Sequence, residues 1–213
     1  FAPGAQLPYH RQAHAESLTL VSGEAIVEVE GRMYALERYD NLTVPAGLAR
    51  AALNASTGQP AVFHVALPTA KPEQTPVEQF FSRRRMPDDT IGHDGAEHLT
   101  RHRSAASYTA GADTTCIDFF NGELVPGVEM SGGWARFAPG GRQPAHAYDC
   151  DAVVAVVEGA ARCVVEGRHH ALDAGAMLLQ PRGQVLSIAN EADEPLVAIW
   201  VCASPMPGRR VVA

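Results

Sequence analysis

A chain of 213 residues, 46% of them apolar and with 15 prolines and 19 glycines, has the composition of a turn-rich globular protein with one large domain or two small ones, which excludes a disordered or fibrous chain. The formal net charge of −7 argues against nucleic acid as a partner, because phosphates favour a basic face. No apolar run approaches the roughly 20 residues that span a bilayer, so a soluble protein without a membrane partner is expected.

The chain opens on "FAPGAQLPYH", Phe1 to His10. Next, "GEAIVEVEGRMYAL" over 23–36 alternates Ala25, Val27 and Val29 with Glu24, Glu28 and Glu30. That period of two, broken by a Glu-Gly pair, predicts two strands and a tight turn. "NLTVPAGLARAALN" over 41–54 predicts two more short strands around a Pro-x-Gly corner, and "AVFHVALP" over 61–68 predicts a closing strand.

A stretch rich in proline, charge and small polar residues follows. Within it "PVEQFFSRRR", 76–85, predicts one short helix, with proline near its start and arginines at its end as the helix dipole prefers. His93, His98 and His102 lie in the same connector. No carboxylate or cysteine shares their spacing, so solvated loop histidines are expected over a metal site. "TTCIDFFNGELVPGVEMSGGWAR", 114–136, reads as strands leading onward. No counterpart precedes Phe1, so the first half either lacks such strands in this sequence or takes them from another segment.

From Phe137 the chain begins again. "FAPGGRQPAH" repeats the opening, and Gly4, Pro8, His10, Gly23, Gly31, Leu36, Pro45, Gly47 and Asn54 recur at one constant spacing as Gly140, Pro144, His146, Gly159, Gly167, Leu172, Pro181, Gly183 and Asn190. An unbroken spacing over some fifty residues points to duplication. Two β-sandwiches or barrels are therefore expected: an N-terminal one over 1–70, a connector with a short helix over 71–114, and a C-terminal one over 115–213. Cys116, Cys150, Cys163 and Cys202 lack the paired spacing of a zinc site or a disulfide framework. Free thiols in a reducing compartment are expected, with the cytoplasm as the default location.

"PGAQLPYHRQAHAESLTLVSG" with "YDNLTVPAGLARAALN" resembles the two signature motifs of the cupins. The first runs Gly, five residues, His-x-His, three or four residues, Glu, six residues, Gly. The second runs Gly, five residues, Pro-x-Gly, two residues, His, three residues, Asn. Both halves match the spacing, so the resemblance implies a bicupin: two tandem all-β double-stranded β-helix (jelly-roll) barrels joined by a short helical or irregular connector. In that family three histidines and a glutamate converge on a divalent metal. Residues two apart on a strand share a face, so His-x-His chelates one ion.

The four positions hold His10, Gln12, Glu16 and Arg50 in the first half. The resemblance implies two alternatives for them. In one, His10, Gln12 and Glu16 hold Mn, Fe, Ni or Zn, with Glu16 and His10 as catalytic acid and base, while Arg50 binds a ligand anion. In the other, Arg50 closes an internal ion pair with Glu16 that needs no metal, since guanidinium has no lone pair to offer an ion. His64, on the closing strand, lines the same cavity or the core, and His14 is expected to be exposed in a turn. In the second half the positions hold His146, Tyr148, Ala152 and Leu186, a set that holds no conventional metal. With Trp200 at the place of His64, it implies an amphipathic pocket or a filled core. The functional expectation is a protein acting on a small organic acid or sugar-like metabolite, as a metal-dependent oxygenase, isomerase or lyase, the alternative being a non-catalytic metabolite binder. A homodimer through sheet edges is a further expectation.

Overall fold

The structure, a computed structural model, describes residues 1–212, with the side chain of His93 outside the described set. It divides into two compact units, one of residues 1–105 with 123–129 and the other of residues 106–122 with 130 onward. The described residues form strands, turns and loops without a helix, and therefore no helix long and apolar enough to cross a membrane.

In the first unit the strands are β1 (Gln6–Arg11), β2 (Glu16–Ser22), β3 (Ala25–Val29), β4 (Arg32–Leu36), β5 (Asn41–Val44), β6 (Arg50–Leu53) and β7 (Val62–Ala66), followed by the short β8 (Thr75–Pro76), β9 (Arg84–Arg85), β10 (Gly92–His93) and β11 (His98–Thr100). They make one sheet in the order β8-β1-β6-β3-β4-β9 and another in the order β10-β11-β5-β2-β7. The period-two pattern read from 23–36 becomes the β3–β4 hairpin, with Ala25, Val27 and Val29 buried. Its Glu30-Gly31 turn has φ of 46° and 87°, the twist that a two-residue hairpin turn requires and that glycine supplies without strain. Leu18, Leu20, Val27, Tyr34, Leu42 and Val44 belong to the core between the sheets.

The helix expected over 76–85 does not form. Thr75–Pro76 pairs with β1, and Arg84–Arg85 runs parallel to β4. The local helix signals lose to hydrogen bonding with sheet edges that were already present. The connector is also bound through charge: Arg101 meets Asp40 at 2.6 Å and Arg32 meets Glu97 at 2.5 Å, with Asp40, Glu97 and Arg101 buried. Residues 71–105 are thus part of the first unit.

The second unit comprises β12 (Tyr108–Phe120), β13 (Ser131–Tyr148), β14 (Ala152–Glu158), β15 (Ala160–Val165), β16 (Arg168–Asp173), β17 (Met177–Gln180), β18 (Leu186–Ala189), β19 (Leu196–Cys202) and β20 (Arg209–Val211). They form one sheet along the path β16-β15-β18-β13-β19-β14-β17, with β12 and β20 also paired to β13. The Glu166-Gly167 turn, φ 47° and 77°, repeats that of the first unit. Phe137, Val154, Val156, Leu186, Ile188 and Leu196 belong to its core.

Candidate functional site

The four positions singled out in the first unit do come together. His10 and Gln12 share a face because they lie two apart, Glu16 opens β2, and Arg50 opens β6 directly opposite His10. All are buried, Arg50 to 1% exposure. Arg50 Nε donates to Glu16 Oε2 at 2.6 Å, and Gln12 Nε2 donates to Glu16 Oε1 at 3.1 Å. The remaining guanidinium nitrogens donate to the carbonyls of Pro45, Leu48 and His14 at 3.2–3.4 Å. Burial lowers the Arg50 pKa and the Glu16 charge opposes that shift.

This arrangement does not fit a metal. Both carboxylate oxygens of Glu16 already accept from nitrogen donors, Gln12 presents its amide nitrogen to Glu16, and a permanent cation packs against the carboxylate. Among the described residues no group of three or more His, Cys, Asp and Glu side chains could hold an ion. His10 donates from Nδ1 to the Pro8 carbonyl at 3.0 Å, and its buried Nε2 has no partner. Of the alternatives read from sequence, the closed pair is the one these contacts describe. His14 lies partly exposed against Glu129 at 3.1 Å. His64 sits opposite Thr19, and burial lowers its pKa.

An open chamber lies instead inside the second unit, with a volume of about 430 Å³. His146, Tyr148 and Trp200 line it, whereas Leu186 is fully buried in the core. Phe137, Val154 and Ile188 give it an apolar wall. His146 donates from Nδ1 to the Pro144 carbonyl at 2.9 Å. A carbonyl only accepts, so in the neutral ring Nε2 is the unprotonated nitrogen. Burial lowers the His146 pKa, the Pro144 bond raises it and nearby Arg209 lowers it, the net direction being downward. Gln180, 1% exposed, spends its amide hydrogens on the carbonyls of His146 and Gln184 at 3.0 and 2.8 Å. Its Oε1 has no partner and is sealed from solvent, although Gln180 is among the residues lining the chamber.

Tyr108, Asp118 and Arg209 also line the chamber and were not singled out from sequence. Tyr108 donates its hydroxyl to Asp118 Oδ1 at 2.9 Å. Arg209 sits on β20 opposite Tyr148 and has no ion-pair partner among the described residues. Burial raises the pKa of Tyr148, and burial together with Asp118 raises that of Tyr108, so both phenols remain hydrogen donors. No repeat signal could reveal these three residues, because they lie outside the span over which the two halves match.

A family model described as Cupin domain matches residues 1–67 and 133–202. Among solved structures, a Lactobacillus farciminis oxalate decarboxylase in complex with formate is 15% identical, with a TM-score of 0.73, over 100% of this chain and 77% of that one. A point mutant of Bacillus subtilis oxalate decarboxylase is 16% identical, with a TM-score of 0.75, over 100% and 69%. A Pseudaminobacter salicylatoxidans salicylate 1,2-dioxygenase is 15% identical, with a TM-score of 0.69, over 98% and 72%. The Bacillus enzyme has Mn(II) centres. No curated protein sequence matches the chain.

Proposed function

This chain belongs to the cupin domain family, and from that premise we propose that its C-terminal barrel binds a small hydroxylated organic acid while its N-terminal barrel is closed around an ion pair. The observation that carries this reading is His146, a chamber-lining residue whose Nδ1 hydrogen is spent on the Pro144 carbonyl, leaving Nε2 as an acceptor. A ligand hydroxyl satisfies that acceptor. Phe137, Val154 and Trp200 suit an apolar body, and the exposed lining residue Arg209 suits a carboxylate.

The four positions that carry ligands in a metal-binding cupin hold His146, Tyr148, Ala152 and Leu186 here. Two of those side chains are hydrocarbon, so the set does not fit a conventional metal and no step is routed through one. A second reading, acid–base catalysis, is favoured by one feature. His146 is held neutral with Nε2 unprotonated, which is the state of a general base.

Mandelate is a suitable probe because it joins a phenyl ring, a hydroxyl and a carboxylate. It is expected to raise the melting temperature of the wild-type protein more than phenylacetate, which lacks the hydroxyl. His146→Phe is expected to reduce mandelate affinity about 5–10-fold, the worth of one net hydrogen bond, and to leave phenylacetate binding nearly unchanged. Calorimetric titration checks both. Equal binding of the two probes, or no binding of either, rejects the reading, and consumption of mandelate followed by NMR assigns catalysis over recognition alone.

A further inference from the structure

Past β19 the chain crosses one side of the chamber. Pro205, Met206, Pro207, Gly208 and Arg209 line it, and Met206, Gly208 and Arg209 are at the same time exposed to solvent, so this wall is a single strand thick. The segment is held mainly through its backbone. Arg209, Arg210 and Val211 form β20 against Tyr148, Ala147 and His146 of β13. The Val212 N–H donates to the Ala145 carbonyl at 2.8 Å, the Gly122 N–H to the Pro205 carbonyl at 2.9 Å and the Asp149 N–H to the Gly208 carbonyl at 3.0 Å. A side chain joins this set, because Asp149 Oδ1 accepts from the Gly208 N–H at 2.8 Å. All three β20 side chains are exposed, and the core of the unit lies elsewhere. Backbone bonds open to water, with little apolar burial behind them, give way below the free energy of global unfolding.

The first unit carries the same device in a bolted form. There β8 pairs with β1 at His10, as β20 pairs with β13 at His146, and the Val77 N–H donates to the Tyr9 carbonyl at 3.0 Å. Just beyond, Phe81 packs on Tyr9 with ring centroids 5.1 Å apart, and Arg83 meets the buried Glu28 at 3.1 Å. In the second unit no ion pair fastens residues 204–212 among the described residues.

We propose that residues 204–212 are a strap that opens and closes over the C-terminal chamber while the barrel stays folded, with the Asp149–Gly208 contact as its latch. The opening itself is independent of the ligand reading above; its role as a gate for ligand rests on that reading. Two buried thiols report on it. Cys116 and Cys202 line the chamber at 2% and 0% exposure, and Cys202 lies at the root of the strap. Cys163 is equally buried, at 1%, but belongs to the core outside the chamber lining. A lifted strap uncovers the first two, whereas global unfolding uncovers all three. Two substitutions weaken the latch from opposite sides. Asp149→Ala removes the acceptor. In Gly208→Ala a methyl would lie 2.6 Å from Asp149 Oδ2, so the carboxylate must swing off the strap.

The test labels the full chain, carrying Cys150→Ser to remove the partly exposed thiol, with N-ethylmaleimide in native buffer and follows each cysteine by peptide mass spectrometry. Cys202 and Cys116 are expected to react faster than Cys163. Asp149→Ala is expected to speed both about 10-fold, the worth of one hydrogen bond to a charged acceptor, and to leave Cys163 unchanged. Gly208→Ala acts in the same direction, and the double variant is no faster than the faster single one, because both break one contact. Equal labelling of the three thiols, or acceleration of Cys163 along with the others, overturns the strap. Stopped-flow mixing with mandelate then tests the gate: Asp149→Ala is expected to raise the association and dissociation rate constants together. Unchanged rate constants overturn the gating role, whereas no mandelate binding in any form defeats the ligand reading and leaves the strap standing on its labelling pattern.

Discussion

Replacing Arg50 by alanine is expected to destabilise the folded chain by about 3–5 kcal/mol, the cost of breaking a buried ion pair by removing one partner. The Glu16 carboxylate is buried and accepts 2.6 and 3.1 Å hydrogen bonds from Arg50 and Gln12. With Arg50 gone it must stay charged without its counter-ion or take up a proton. Three carbonyls, those of Pro45, Leu48 and His14, lose a donor in the same change. Urea unfolding measures the loss as a lower midpoint. The double variant Glu16→Leu with Arg50→Met removes both charges at similar volume and is expected to recover most of it, since apolar replacement of a buried pair is often neutral or stabilising. A wild-type midpoint in Arg50→Ala would return Arg50 to the role of an anion clamp. A failure of the double variant to recover would show that the three carbonyl contacts dominate.

Asn190→Ala is expected to cost about 3 kcal/mol, because the amide serves four backbone groups at once. It donates to the carbonyls of Phe137, Ala138 and Glu194 at 3.1, 3.1 and 2.8 Å and accepts from the Ala192 N–H at 3.0 Å. Leaving buried carbonyls unpaired carries most of that penalty. Asn54 makes the corresponding contacts to Phe1, Ala2, Gln59 and Ser56 in the first unit, so Asn54→Ala is expected to act similarly there. Asn190→Asp sharpens the test. A carboxylate facing three carbonyls is disfavoured, which raises the folded-state pKa above the unfolded value of about 3.9. Stability is therefore retained below that value and lost as pH rises through the folded pKa. A pH series of unfolding midpoints that lacks this fall would show that the cluster tolerates charge through ordered water.

The asparagines also mark how far the sequence could be read. Asn54 and Asn190 stood out as a repeated pair, and their contacts are the same in both units because the same local turn surrounds them. The two hairpins were visible for a similar reason: a Glu-Gly pair between alternating residues encodes its own geometry. The segment 76–85 was misread because its proline and arginines describe only local preference. Those residues meet β1 and β4, which lie more than forty residues earlier, and edge pairing outweighs a weak helix tendency.

The residues alone determined the duplication and the all-β character, which follow from periodicity, turn chemistry and constant spacing, local properties of a chain. The two-barrel architecture and the meeting of His10, Gln12, Glu16 and Arg50 were legible only through the resemblance to the cupin motifs. Only the tertiary structure decided which barrel has room inside. Glu16 and Arg50 are 34 residues apart, and whether guanidinium fills the space or faces a ligand depends on the reach and register of two strands. In the second barrel Ala152 and Leu186 stand where Glu16 and Arg50 would pair, so no ion pair fills the interior. Tyr108, Asp118 and Arg209 complete the wall from segments outside the repeat, because packing brings together residues whose spacing in the chain carries no signal.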